Sequence, residues 1–221
     1  MSEFIPEDLF VDDPVFTVRW RLQNRALPLK SRLLRAFAAS GVSNGLASWA
    51  RQHIEWTLAE GTAKEPNGVL VLSMDDQGRA MMAAEPYESL APHTAAELLE
   101  RTAYEAAQPL EGEVVWVARN GGAALVALTD ASKPLSGVNS LIVDLAKTLG
   151  ISVSFEPREN AEALVAALGA DDEVFLASDE HGVVPASDCG GATAERFVAY
   201  YGRLVGQAKP DDYDRMNLGI F

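Results

Sequence analysis

The sequence predicts an α+β fold in which antiparallel hairpins and helices are mixed without regular alternation. Turn signals with glycine stand between strand-like apolar runs, DQG at residues 76–78 and NGG at residues 120–122. Other segments repeat apolar residues at helical spacing, as Leu33, Leu34 and Phe37 do. Because strand and helix do not strictly alternate, a doubly wound parallel sheet is not expected.

The predicted elements of the first half begin with a hairpin over residues 13–29, with its turn at Gln23 and Asn24. A helix over residues 31–40 follows Pro28. The remaining predictions are a helix over 46–60 that stops at Gly61, a hairpin over 68–86 and a helix over 95–108.

The second half repeats the same mixture of elements. Its hairpins are predicted over 113–128 and within 171–188, with a strand over 151–157 and helices over 138–150, 160–169 and 192–205. We therefore expect two α+β subdomains, residues 1–110 and 111–221. The acidic tail over 210–221 ends in apolar residues that we expect to dock on a neighbouring surface.

The composition excludes several classes of partner. The formal net charge is −14 and the isoelectric point is about 4.6, so no surface is expected to neutralise nucleic-acid phosphates or anionic lipid. No apolar run approaches the roughly 20 residues that span a bilayer, and the acidic N-terminus does not resemble a signal peptide. With Cys189 as its single cysteine the chain cannot form an internal disulfide, which favours a cytoplasmic protein without a metal site.

Four short motifs in the second half carry a family resemblance. They are Gly137-Val138-Asn139-Ser140, Asp144-Leu145-Ala146, Leu149-Gly150-Ile151 and Asp172-Glu173-Val174-Phe175-Leu176. In order and spacing they resemble the C-terminal half of class IV aminotransferases, the group of branched-chain and D-amino-acid aminotransferases and aminodeoxychorismate lyase. Residues 12–19 and 32–36 resemble the N-terminal half of that family more loosely.

The resemblance implies a shortened class IV aminotransferase-like fold, with two α+β subdomains, a cleft between them and a homodimeric assembly. In that family pyridoxal phosphate (PLP) lies in the cleft, and a helix N-terminus helps to hold its phosphate. Carried over to this chain, the predicted cofactor contacts are Arg35, Val138, Asn139 and Ser178.

Two departures from the family pattern argue against its chemistry. The segment expected to carry the Schiff-base lysine, residues 86–113, contains no lysine, and the five lysines are Lys30, Lys64, Lys133, Lys147 and Lys209. No other side chain supplies the primary amine that this chemistry requires. The family's phosphate-binding threonine is replaced by Asp179, whose carboxylate would repel a phosphate.

Three functional interpretations remain open from the sequence. In the first, the chain has lost transamination and keeps the scaffold to bind a small molecule, an anion or a partner protein. Alternatively it is a divergent PLP-dependent enzyme acting on an amino acid, with a displaced lysine such as Lys133. The third is that the resemblance is only architectural. Ser178, His181 and the Cys189 thiol are weaker candidates for chemistry.

Overall fold

The computed structural model describes residues 14–60 and 65–209, so the predicted docking tail lies outside the described residues. Its first sheet has three antiparallel strands in the order β1-β2-β3. The strands are β1 (Phe16–Arg21), β2 (Val69–Met74) and β3 (Ala80–Glu85). The central strand β2 reads VLVLSM and is buried along nearly its whole length.

Two helices pack on this sheet and form the first hydrophobic core. They are α1 (Lys30–Ala39) and α2 (Asn44–Glu60), and both agree with the predicted helices. Their apolar faces meet alternate residues of β1, where the ring of Phe37 stacks on Phe16 and meets the edge of Trp20.

The predicted hairpin over residues 13–29 is wrong. Gln23 and Ala26 close a tight turn around Asn24 and Arg25, which both have positive φ, but no second strand follows. Pro28 lacks an N–H group and the chain then enters α1, so too few residues remain for a ladder. β1 pairs instead with β2, a partner about fifty residues away along the chain.

The second sheet has five strands in the order β6-β5-β4-β7-β8. Only β5 and β6 run parallel, because a helix crosses between them. The strands are β4 (Glu113–Arg119), β5 (Ala124–Leu128), β6 (Ser152–Glu156), β7 (Glu173–Ser178) and β8 (Gly182–Pro185).

Helices cover both faces of the five-stranded sheet. One face packs against the crossover helix α4 (Gly137–Thr148) and against α6 (Ala192–Gly206). The other packs against α3 (Ala95–Arg101) and α5 (Ala161–Ala166). The α+β prediction is therefore confirmed, whereas the subdomain boundary between residues 110 and 111 stays a prediction.

The two sheets meet at the turn that joins β7 to β8. The backbone N–H of Arg21, at the end of β1, donates a hydrogen bond to the carbonyl oxygen of Asp179 at 2.9 Å. Nearby, Leu29 packs against the cores of both sheets. Within the described ranges, no helix has the length and apolar character needed to cross a membrane.

Candidate functional site

The turn between β7 and β8 is organised by the buried hydroxyl group of Ser178. This hydroxyl accepts hydrogen bonds from the N–H groups of Glu180 and His181 at 3.1 and 3.0 Å. It donates its own proton to Oε1 of Glu113 at 3.1 Å, since a carboxylate can only accept. Because the hydroxyl donates one hydrogen bond and accepts two, Ser178 has the geometry of a turn-forming residue rather than of a nucleophile.

The carboxylate of Asp179 lies at the N-terminus of α4. Its Oδ1 accepts hydrogen bonds from the Val138 N–H at 2.8 Å and the Ser136 hydroxyl at 3.0 Å, and its Oδ2 accepts from the Gly137 N–H at 3.3 Å. Only 3% of Asp179 is exposed. Burial raises the pKa of Asp179 to about 7, while these three donors oppose that rise.

The start of α4 therefore already holds a carboxylate where a phosphate would otherwise find free N–H groups. Two unit charges of like sign about 4 Å apart repel by about 4 kcal/mol at an effective dielectric constant of about 20. Phosphate could approach this helix only if Asp179 moved away or were protonated.

Three of the four predicted cofactor contacts lie close to this carboxylate. Val138 donates its N–H to Asp179, and Ser178 precedes Asp179 in the chain. The Asn139 side chain accepts from the Trp116 indole N–H at 2.7 Å and donates to the Ser136 hydroxyl at 2.8 Å. All three residues are buried within internal contacts, and their role in cofactor binding stays a prediction.

The fourth predicted contact, Arg35, lies on the exposed side of α1. Another arginine of that helix, Arg32, faces α4, with guanidinium contacts to the Ser140 hydroxyl at 3.4 Å and to Asp144 at 2.7 Å. The motif match aligned Arg35, whereas the side chain of Arg32 is the one seen to contact α4.

The lysines described by the structure are occupied or exposed. Lys133, the candidate displaced amine, donates to the carbonyl oxygens of Ala106 and Gln108 and pairs with Glu111 at 2.9 Å. Lys30 pairs with Glu55. Lys147 and Lys209 lie at the exposed surface, and Lys64 lies outside the described residues.

A polar cleft separates the first sheet from the turn between β7 and β8. It contains a larger cavity of about 650 Å³ and a smaller one of about 150 Å³, and Arg19, Arg101 and Glu180 line both. Neither lining includes one of the described lysines. The larger cavity has the size of a typical small-molecule site, and both cavities bring together residues that are far apart in the sequence.

Each arginine of the cleft forms a two-pronged ion pair. Arg19 contacts Glu180 through Nε at 2.7 Å and Nη2 at 3.1 Å, and a third nitrogen contacts Glu85 at 3.2 Å. Arg101 contacts Glu113 at 2.7 and 2.8 Å. Such paired geometry is the strongest form of the arginine–carboxylate contact. No sequence motif marks these residues, and the interpretation of the sequence missed them.

His181 is held as a neutral imidazole at the edge of the larger cavity. Its Nε2 lies 3.2 Å from Nη2 of Arg101. Because arginine can only donate, Nε2 is the acceptor and the ring proton sits on Nδ1, which faces the Tyr87 hydroxyl at 3.5 Å. Burial lowers the pKa of His181, in agreement with this state. His181 therefore does not pair with Ser178 as a catalytic base.

The remaining candidate for chemistry, Cys189, has an inert environment. Burial and the neighbouring Asp188 carboxylate raise the pKa of its thiol to about 11. A reactive cysteine needs the opposite shift, so the suggestion of a reactive thiol is not supported by its surroundings.

Comparisons with known proteins identify the fold. No protein-family model and no curated protein matches this sequence. Among solved structures, 4-amino-4-deoxychorismate lyase from Pseudomonas aeruginosa is similar over 84% of this chain and 88% of its own, with 14% identity and a TM-score of 0.52.

A second similar structure is the branched-chain amino acid aminotransferase from the organism abbreviated T.th. It is 16% identical, with 90% of this chain and 86% of that chain covered and a TM-score of 0.53. The same enzyme complexed with N-(5′-phosphopyridoxyl)-L-glutamate is 15% identical, with 90% and 88% covered and a TM-score of 0.52. The protein therefore has the class IV aminotransferase fold, as its sequence motifs predicted.

The described residues do not fit the PLP that this fold implies. The helix start that would meet its phosphate is filled by Asp179, and the described lysines do not line the cleft. Without an amine in the cleft, no covalent anchor for the cofactor is available among these residues.

Proposed function

We propose that this protein uses the class IV aminotransferase fold without PLP-dependent transamination and binds a small molecule in its interdomain cleft. The observation that carries this proposal is the Asp179 carboxylate, which holds the N–H groups of Gly137 and Val138. The engagement of Lys133 by two carbonyl oxygens and Glu111 supports it further.

The cleft supports the binding role because polar groups from three separate elements line the same concave space. Arg19 comes from the first sheet, Glu180 from the turn between β7 and β8, and Arg101 from α3. The ion pairs of Arg19 with Glu180 and of Arg101 with Glu113 fix the walls before any ligand arrives, which lowers the entropic cost of binding. The homodimer implied by the family resemblance remains part of this proposal, and sedimentation of the purified chain tests it.

Purified protein incubated with PLP tests the loss of transamination. We expect no visible absorption band of a lysine-bound PLP, which borohydride would abolish. We also expect no stoichiometric increase in protein mass after borohydride reduction. A class IV aminotransferase treated in the same way serves as the positive control. A single lysine of this chain carrying a reduced cofactor adduct would overturn the proposal in favour of a divergent PLP-dependent enzyme.

A further inference from the structure

The smaller cavity of the cleft contains a carboxyl group that lacks a paired cation among the described residues. Glu105 accepts one hydrogen bond, from the N–H of Gly112 at 3.0 Å, and no lysine or arginine in the described part of the chain forms an ion pair with it. The other two carboxylates of this cavity, Glu113 and Glu180, are each paired with an arginine. Glu105 is thus the acidic group of the cavity that is open to a charged ligand.

We propose that this cavity receives the ammonium group of a small amine, held between the Glu105 carboxylate and the ring of Tyr104. The inference rests on the proposed binding role of the cleft and names the chemical class of its ligand. Tyr104 lines the same cavity and is 64% exposed, so its ring is accessible to a cation. An aromatic face attracts ammonium groups, and a carboxylate accepts charge-assisted hydrogen bonds from them.

The charge of the whole cleft favours the same ligand. The two cavities are lined by five glutamates and two arginines. The glutamates are Glu85, Glu88, Glu105, Glu113 and Glu180. A ligand with positive charge lowers this acidic excess, whereas an anionic ligand increases it.

An anion would also have to compete with the resident ion pairs. The guanidinium of Arg101 is engaged by both oxygens of Glu113, a side chain only 10% exposed. Displacing Glu113 would leave a nearly buried carboxylate unpaired, which is costly. Arg19 is engaged by Glu180 and Glu85 in the same manner. The arginines therefore structure the walls rather than offer free anion sites.

Proton exchange at Glu105 gives the amine site a pH dependence. Burial raises the pKa of Glu105 to about 7, and its charged neighbours are Arg101, Glu111, Glu113 and Asp179. A bound ammonium group favours the ionised carboxylate and so lowers this pKa. The affinity for an amine should rise as the pH increases through about 7, for as long as the amine keeps its own proton.

Calorimetric titration of the full chain with putrescine tests the proposal, with butanol and butyrate as neutral and anionic probes. We expect saturable binding of putrescine alone, weakened by roughly tenfold or more in Glu105→Gln, which corresponds to one lost charge-assisted contact. Tyr104→Ala should also weaken binding, and its exposed position makes unfolding a poor explanation. Glu195→Gln, on the exposed side of α6 and outside both cavity linings, is the matched control and should bind nearly normally.

Three outcomes would overturn the amine site. They are no saturable putrescine binding, equal affinity in wild type and Glu105→Gln, and tighter binding of butyrate than of putrescine. Tighter butyrate binding would refute the ligand class while leaving a small-molecule cleft in place. The proposed function is tested separately by the incubation with PLP, in which a covalent adduct on a lysine would refute it.

Discussion

Asp179 has a double role at the scale of single residues. Its backbone joins the two sheets through the N–H of Arg21, and its side chain satisfies the first N–H groups of α4. A buried carboxylate at this position satisfies donors that helix geometry leaves unpaired. Asp179 is therefore a structural cap, so the N–H groups at this helix start are satisfied without an external anion.

The raised pKa of Asp179 predicts how stability changes with pH. Its folded-state pKa is about 7 and its ordinary value is 3.8, so between these values the folded state binds more protons than the unfolded state. The contribution of Asp179 to the free energy of unfolding therefore falls as the pH rises from about 4 to about 7, and levels off above. Asp179→Asn should reduce this fall, measured by urea unfolding at about pH 5 and about pH 8.

Two features keep that test specific. Glu105, whose pKa is also raised to about 7, contributes a fall of the same sign, so Asp179→Asn should reduce the slope without abolishing it. Asp172 has a lowered pKa, so its contribution to stability changes only at a more acidic pH than the range of this test. Asp76→Asn, at an exposed turn, is the control and should keep the wild-type slope. Identical slopes in wild type and Asp179→Asn would contradict the account.

At the scale of elements, the turn between β7 and β8 requires glycine at its last position. Gly182 has φ of 77°, and a Cβ atom there would overlap the ring of Tyr201 on α6. We therefore expect Gly182→Ala to lower the free energy of unfolding by several kcal/mol, through both strain and overlap.

A second turn glycine separates these two causes. Gly78 has nearly the same φ, 80°, but a Cβ atom there would meet open space. Gly78→Ala should cost only about 1 kcal/mol, the conformational part alone. Denaturant unfolding of both variants checks the difference. Equal destabilisation of the two would show that the packing of Tyr201 against the turn is not a constraint.

Local signals explain which elements the sequence could predict. The hairpin turns around Gly78 and Gly121 and the helices α1 and α2 depend on neighbouring residues, and all agree with the structure. The partner of β1 was missed because pairing with β2 depends on residues far along the chain. Helix length was also overestimated at α3, which ends at Arg101 and is followed by a separate short 3₁₀ helix, Glu105–Ala107.

The candidate site was predictable only where a motif was contiguous. Val138 and Asp179 were found because each lies in a run that resembles the family. Arg19 and Glu180 meet across 161 positions, and no local pattern announces such a pair. Glu105 was hidden for the same reason, since its environment is created by Gly112 and by strands from both halves.

At the scale of the whole molecule, α1 and α4 dock the two halves through a close contact. A Cβ atom on Gly137 would overlap the side chain of Leu33, a residue only 2% exposed. Gly137→Ala should therefore destabilise the protein, and much of that loss should disappear in a Leu33→Ala background.

A double-mutant cycle measured by denaturant unfolding gives the coupling between these two positions. We expect a coupling of about 1 kcal/mol or more, because the added methyl group and the removed side chain occupy the same space. Additive effects of Gly137→Ala and Leu33→Ala would show that the two helices do not meet at this point.

We infer that Asp179 fills the helix start at which this fold would otherwise meet a phosphate. Amide resonances of Gly137 and Val138 in isotope-labelled protein test this directly during titration with inorganic phosphate at about pH 8, where Asp179 is mostly ionised. We predict no saturable shift of these two resonances in the wild type and a saturable shift in Asp179→Ser, where the N–H groups lose their carboxylate. A saturable shift of both resonances in the wild-type protein would contradict the account.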